Sequence, residues 1–227
     1  MNDQRYFVLK KLHSLSGVVP IAGFLIFHLY ENSHSVAGQQ AFNDTVASIR
    51  SQPYLSFLEI GLLTPILFHI AMGIYISRTA KSNVSSYGFR ANWMYWFQRF
   101  SGYILFAFIF FHLKTTRFAN IASDQMFQHL AGDYANPAIF AFYLLGILCA
   151  AFHMANGLWG FTYSWGLVTG QKSQDIVWKA CMGLGLIVAL IGVNALLGFS
   201  GHGLDVFHHD PAPTLAQPVA PASAPVH

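Results

Sequence analysis

FHIAMGIY, residues 68–75, places a histidine inside a long apolar run. FHMANGLW, residues 152–159, does the same. Both follow the pattern Phe-His-x-Ala-x-Gly with two bulky apolar or aromatic residues after it. Only 9% of the 227 residues are charged, while 54% are hydrophobic and 16% aromatic. A soluble domain carries about 25% charged residues, so this chain cannot cover a water-facing surface. The composition is that of an integral membrane protein. A net charge of +3 is then no sign of nucleic-acid binding. Cys149 and Cys181 stand singly in apolar runs and suggest neither a disulfide framework nor a cluster.

Five apolar segments follow: residues 12–31, 55–77, 97–118, 137–162 and 176–199. Each has the ~20 residues that cross a ~30 Å hydrocarbon core as a helix, and helix is the form that satisfies its own backbone there. The expected fold is all-α and membrane-embedded, with five transmembrane helices over residues 1–200. An external Pro/Ala-rich tail is expected over 201–227. Arg5, Lys10 and Lys11 before the first run, with Ser35-Val36-Ala37 after it, resemble a secretory signal. The internal symmetry described next argues that this segment is retained.

HSLSGVVPIAGFLIFHL (13–29) matches QRFSGYILFAFIFFHL (98–113), each with Ser-Gly near its start and Phe-His-Leu at its end. His28 to His69 is 41 residues, as is His112 to His153; His28 to His112 is 84, as is His69 to His153. The chain is thus a duplicated two-helix unit followed by a fifth helix, a plan familiar in membrane proteins with a central site. The first copy has one extra residue between Gly17 and its histidine. A local bend at Pro20 could absorb it.

With the N-terminus cytoplasmic, nine of the twelve basic residues fall inside and only Arg50, Lys114 and Arg117 outside, as the positive-inside rule favours. The C-terminus is then outside. Trp93, Trp96 and Trp165 stand where an inner aromatic belt would. His69 lies roughly 13 Å from Arg78, His112 roughly 20 Å from Arg99, and His28 roughly 25 Å from Lys11, at a rise of about 1.5 Å per residue. This stacks two histidine pairs at two depths: His69 with His153 inside, His28 with His112 outside.

Zinc would draw four ligands to one depth. Two imidazoles from facing helices suit haem iron instead. Gly73 and Gly157 lie one turn beyond the inner histidines, and Gly17 and Gly102 at a similar depth on the other helices. All four glycines could admit a flat macrocycle. No dinucleotide, phosphate or cluster motif is present, so electrons must come from a partner subunit or a lipid-soluble carrier. Three readings stay open on these residues: an anchor for a peripheral redox module, another di-haem cytochrome such as a hydrogenase b subunit or a transmembrane ferrireductase, and a haem-free transporter.

Lys11-Leu12-His13-Ser14, FHLYENS (27–33), FHIAMGIYISRTAKSN (68–83), RANWMYWFQRFSG (90–102), FFHLKTTR (110–117) and FHMANGLWGFTYSWG (152–166) resemble, in this order, the single-subunit di-haem cytochrome b anchors of succinate dehydrogenases and fumarate reductases. The resemblance spans about residues 5–199. It implies two b haems, held by His69 and His153 (inner) and by His28 and His112 (outer). It implies menaquinone as substrate, and a flavoprotein with FAD and an iron–sulfur subunit on the cytoplasmic face of a bacterial inner membrane. A fumarate-reducing branch carries Glu two residues before the fourth ligand; here that position is Ala151, which favours succinate dehydrogenase.

Four more residues at the inner end, His13, Ser14, Gln98 and Arg99, are candidates to meet haem propionates. Glu59, an acid within the second segment, is a candidate to deliver protons to quinone, with Glu31 and His34 nearby. The glycines of the fifth segment, Gly183, Gly185, Gly192 and Gly198, suggest close packing. His129 and His202 are expected in loops, and His208, His209 and His227 in the tail.

Overall fold

The computed structural model describes residues 2–81 and 83–206, and they form helices, turns and connecting loops without strands. The tail from residue 207, with His208, His209 and His227, lies outside the described residues.

The first apolar run is part of a longer rod, Asp3–Ala37. It starts as α1 (Asp3–Ser16), passes through one π-helical turn (Gly17–Ile21), continues as α2 (Ala22–Asn32) and ends in a 3-10 turn (Ser33–Ala37). The rod begins well before residue 12, because apolar composition marks the membrane core and not the ends of a helix. Asp3, Arg5, Lys10 and Lys11 are helical but too polar to join the run. The N-cap is Asn2, whose side chain accepts from the Arg5 N–H at 3.0 Å.

The π turn answers the extra residue of the first copy. Ala22 N–H bonds Gly17 C=O, five residues back, so this turn holds one residue more than an α turn. Pro20 sits inside it. The equivalent helix of the second copy, α5 (Arg90–Thr115), has no such turn. Before the turn the two copies are offset by 85 residues (Ser16 to Ser101, Gly17 to Gly102). After it they are offset by 84 (Phe24 to Phe108, His28 to His112).

The remaining long helices are α4 (Leu55–Thr79), α7 (Pro137–Ser164) and α8 (Gln171–Gly198). Asn136 caps α7 by accepting from Ala138 N–H at 2.9 Å, with Pro137 at the first helical position, where its missing donor does no harm. α1 packs on α4 and α5 packs on α7, as a duplicated two-helix unit requires.

Four described helices are long and apolar enough to cross a membrane: Asp3–Ala37, Leu55–Thr79, Pro137–Ser164 and Gln171–Gly198. α5, about 39 Å long at 1.5 Å per residue, is not among them. Its apolar run is diluted by Gln98, Arg99, His112 and Lys114. Phe57 and Phe110 are 76% and 73% exposed, a waste of apolar surface in water and the natural state against lipid.

The apolar runs leave 32–54 and 119–136 without an assigned element. The structure places α3 (Gln39–Arg50) and α6 (Met126–Tyr134) there. Both are short and half polar, so neither shows the continuous run that marks a crossing. Phe42, Met126, Leu130 and Phe199 pack into one buried cluster, which caps one end of the bundle. Asn43 ties the two loops, donating to Asp124 C=O at 2.5 Å and accepting from Phe127 N–H at 2.9 Å. His129, expected in a loop, belongs to α6 and its Nε2 lies 2.9 Å from Thr115 C=O.

α8 closes the bundle through small residues. A Cβ on Gly185 would meet Ala155, one on Gly192 would meet Ile147, and one on Gly198 would meet the backbone of Ser35 and Val36. These are close approaches that only glycine permits. Gly183, in contrast, has open space beside it.

Candidate functional site

The structure brings the four repeated histidines together as two facing pairs. His69 on α4 and His153 on α7 stand with ring centres 6.2 Å apart and planes at 75°. His28 on α2 and His112 on α5 stand at 5.7 Å and 77°. Histidine nitrogen bonds a transition metal at about 2.0–2.1 Å. Two such bonds in line, with each ring's half-width added, put ring centres about 6 Å apart. Both separations therefore fit two imidazoles sharing one metal from opposite sides. No group of three or more His, Cys, Asp or Glu converges among the described residues, so a four-ligand centre has no donor set there.

The four histidines line one cavity of about 2140 Å³. A single small-molecule site is typically 300–1,000 Å³, so there is room for more than one large ligand. The walls are mostly aliphatic and aromatic, as a macrocycle needs.

Around the inner pair the two copies repeat each other in detail. Ser16 Oγ lies 3.2 Å from His69 Nδ1 and Ser101 Oγ lies 3.1 Å from His153 Nδ1. A Cβ on Gly17 would stand 2.7 Å from His69 Cε1, and one on Gly102 would stand 3.2 Å from His153 Cε1. These two glycines therefore seat imidazole rings. Gly73 and Gly157 make room for protein as well: their nearest outside atoms are His13 Cε1 and Gln98 Nε2, each 3.3 Å from a built Cβ. The repeated Ser-Gly pair was visible in the sequence, but nothing there assigned the serines a partner.

Of the four inner-end candidates, His13 stacks on His69 at 4.0 Å and 22°. Its carbonyl lies 3.0 Å from His69 Nδ1. Gln98 is committed, donating to His153 C=O at 3.0 Å and accepting from Asn156 Nδ2 at 2.8 Å. Ser14 accepts from Trp165 Nε1 at 3.0 Å and donates to Lys11 C=O at 3.0 Å. Arg99 differs. The Nε and Nη2 of Arg99 are buried with no hydrogen-bond partner among the described residues, and its guanidinium lies over Tyr95 at 3.9 Å. A buried cation with unused donors is costly unless an anion completes it, and Arg99 is on the cavity wall.

The outer pair is held by aromatic rings. Phe24 stacks on His28 at 5.2 Å and 21°, and Phe108 stacks on His112 at 5.7 Å and 20°. Asn32 and Thr116, again 84 apart, donate to the carbonyls of these histidines at 2.7 and 2.6 Å. His112 Nδ1 is buried without a partner among the described residues.

Glu59 accepts two bonds from Arg117, from Nε at 2.6 Å and from Nη2 at 3.0 Å. The carboxylate holds the Arg117 guanidinium above its usual range. Glu59 and Glu31 both line the cavity, while His34 is not part of its wall. His34 Nδ1 instead lies 3.0 Å from Glu31 C=O.

The family described as succinate dehydrogenase/fumarate reductase transmembrane subunit matches residues 77–193. The succinate dehydrogenase cytochrome b558 subunit of Bacillus subtilis is 34% identical over 201 residues, covering 88% of this chain and 100% of that protein. The succinate dehydrogenase hydrophobic membrane anchor subunit of Halobacterium salinarum is 37% identical over 62 residues, 27% of this chain and 47% of that protein. These likenesses separate the chain from hydrogenase b subunits, ferrireductases and transporters, which the histidine pattern alone leaves open. The chain belongs to the family of succinate dehydrogenase/fumarate reductase transmembrane subunits, the membrane part of an enzyme complex whose dicarboxylate site lies elsewhere.

Proposed function

We propose that this chain is the di-haem cytochrome b of a succinate:quinone oxidoreductase. It would pass electrons from an iron–sulfur subunit on the cytoplasmic side to menaquinone, with a flavoprotein carrying FAD completing the complex. One observation carries the reading: four histidines form two facing pairs, 6.2 and 5.7 Å between ring centres, along a single apolar cavity. Bound b haem would supply one-electron chemistry. His69 and His153 hold the inner group, His28 and His112 the outer one. Arg99, part-buried and with unused donors on the cavity wall, would neutralise propionate at the inner end, and His13 shields the face of His69. The name of the Bacillus subtilis relative, a cytochrome b558 subunit, agrees with this chemistry.

In this reading α5 crosses the membrane as a fifth span. His112 must face His28, and the polar Gln98 and Arg99 that lower its apolarity line the cavity rather than the lipid. Five crossings put the termini on opposite sides, and the excess of basic residues on the N-terminal side puts the N-terminus in the cytoplasm and the C-terminus outside, in a bacterial cytoplasmic membrane. At the outer end Glu59, on the cavity wall with Glu31, serves protons to quinone. Ala151 supports the succinate-oxidising direction. It is 2% exposed, and its carbonyl would lie 3.2 Å from a Cβ on Gly185. Ala151 packs in a buried apolar cluster with Leu29 and Val188, where an unpaired acid would be costly.

The test is an absorption spectrum of the purified complex before and after succinate. Two b-type components, at least one reduced by succinate, are expected. A complex without b haem overturns the reading.

A further inference from the structure

We propose that Ser16 and Ser101 are positioning residues for the inner haem, which they orient and tune through the Nδ1 atoms of His69 and His153. This rests on the di-haem reading above.

The proton inventory carries the inference. Ser16 Oγ donates to His13 C=O at 2.8 Å, and Ser101 Oγ donates to Gln98 C=O at 3.1 Å. A carbonyl only accepts, so each hydroxyl proton is spent on the backbone. In that arrangement each serine oxygen meets its histidine as an acceptor, and the histidine Nδ1 carries the hydrogen. His69 Nδ1 has a second acceptor in the His13 carbonyl at 3.0 Å, which demands the same tautomer. With Nδ1 protonated, the lone pair lies on Nε2, the atom left to ligate. The same relay, carbonyl to hydroxyl to imidazole, occurs twice on residues offset by 85 and 84, so it is part of the duplicated plan.

Two consequences follow. The rings are fixed before any group binds, because rotation would break the Nδ1 bonds. An Nδ1–H that donates also raises the basicity of Nε2, which favours the oxidised, more positive iron and holds the potential down. The outer pair lacks this device. Among the described residues His112 Nδ1 has no partner, and the polar atom near His28 Nδ1 is the Asn32 amide nitrogen, at 3.4 Å. That nitrogen is itself a donor.

The two serines are not equivalent. Removing Ser16 leaves His69 the His13 carbonyl at 3.0 Å, whereas removing Ser101 leaves His153 only the weaker approach of the Gln98 carbonyl. The test is a redox titration of the complete complex in membranes, resolving the two b components, for Ser16→Ala, Ser101→Ala and Ser101→Thr. Ser101→Ala is expected to shift the inner component to higher potential and leave the outer one in place. Ser16→Ala should shift it less, and Ser101→Thr should restore it. Loss of the inner component in Ser101→Ala with retention in Ser101→Thr would equally show that the hydroxyl is required. An unchanged potential in Ser101→Ala overturns the proposal. So does a Thr variant displaced as far as the Ala variant, because the hydroxyl would then be irrelevant. A wild-type complex without b components would instead overturn the di-haem reading itself.

Discussion

The two histidine pairs share a ring geometry and differ in almost everything that surrounds it. The inner rings are held by hydroxyls and a carbonyl at Nδ1 and seated against Gly17 and Gly102. The outer rings stack on Phe24 and Phe108, their close polar bonds go to the backbone carbonyls, and the Asn32 amide nitrogen approaches the His28 ring at 3.4 Å. Position explains the difference. The inner pair sits beside the last turn of α1 and the third turn of α5, where Ser, Gln, His and Arg are at hand. The outer pair lies deep in runs of Phe, Leu and Ile, where aromatic stacking is the available support. Directional bonds fix a ring's tautomer and rotation, whereas stacking fixes only its plane. The inner site is thus preorganised for ligation and the outer one is shaped mainly by packing.

The most severe way to probe that contrast is to remove one ligand from each pair. His69→Ala should lose the inner b component, retain the outer one and stop electron delivery from succinate. His28→Ala should do the converse in the spectrum. Loss of neither component in His69→Ala would refute the pairing. A milder change addresses the chemistry at the outer end. Glu59→Gln should leave both components in place and slow quinone reduction, by tenfold or more given the ~10²–10⁴ that general acid–base groups contribute. Unchanged turnover would remove Glu59 from the quinone site and leave its bidentate pair with Arg117 as a purely structural contact.

The smallest effect is expected from deleting Pro20. The result, SGVVIAGFLIFHL, has the same length as SGYILFAFIFFHL (101–113), so an uninterrupted α-helix would keep both ends of the first copy in register. Both b components should survive. Thermal stability should not fall, since a proline inside a helix costs about 3 kcal/mol. Loss of either component would mean that the π turn does more than absorb a residue.

Much of this was legible in the chain because membrane composition and repeat spacing are strong signals. Five apolar runs, four histidines at separations of 41 and 84, and Ala151 in place of an acid could each be read directly. The element ends could not, because polar turns such as Asp3–Lys11 are helical without being apolar. α3 and α6 were hidden for a related reason. Their shared core with Phe199 joins residues more than seventy positions apart, and no local pattern reports such a contact. Ser16 and Ser101 stood in plain view beside Gly17 and Gly102, but a Ser-Gly pair has no partner until another helix brings a histidine to it.

The sequence by itself determined the solvent, the helical form, the duplication and the identity of the four histidines, because hydrophobicity and periodicity act along one segment at a time. Only the tertiary structure decided which atoms the glycines make room for, that Gln98 is spent on His153 while Arg99 keeps unused donors, and that a π turn at Pro20 reconciles the two copies. Those outcomes depend on distances between helices, and a one-dimensional pattern contains no such distance.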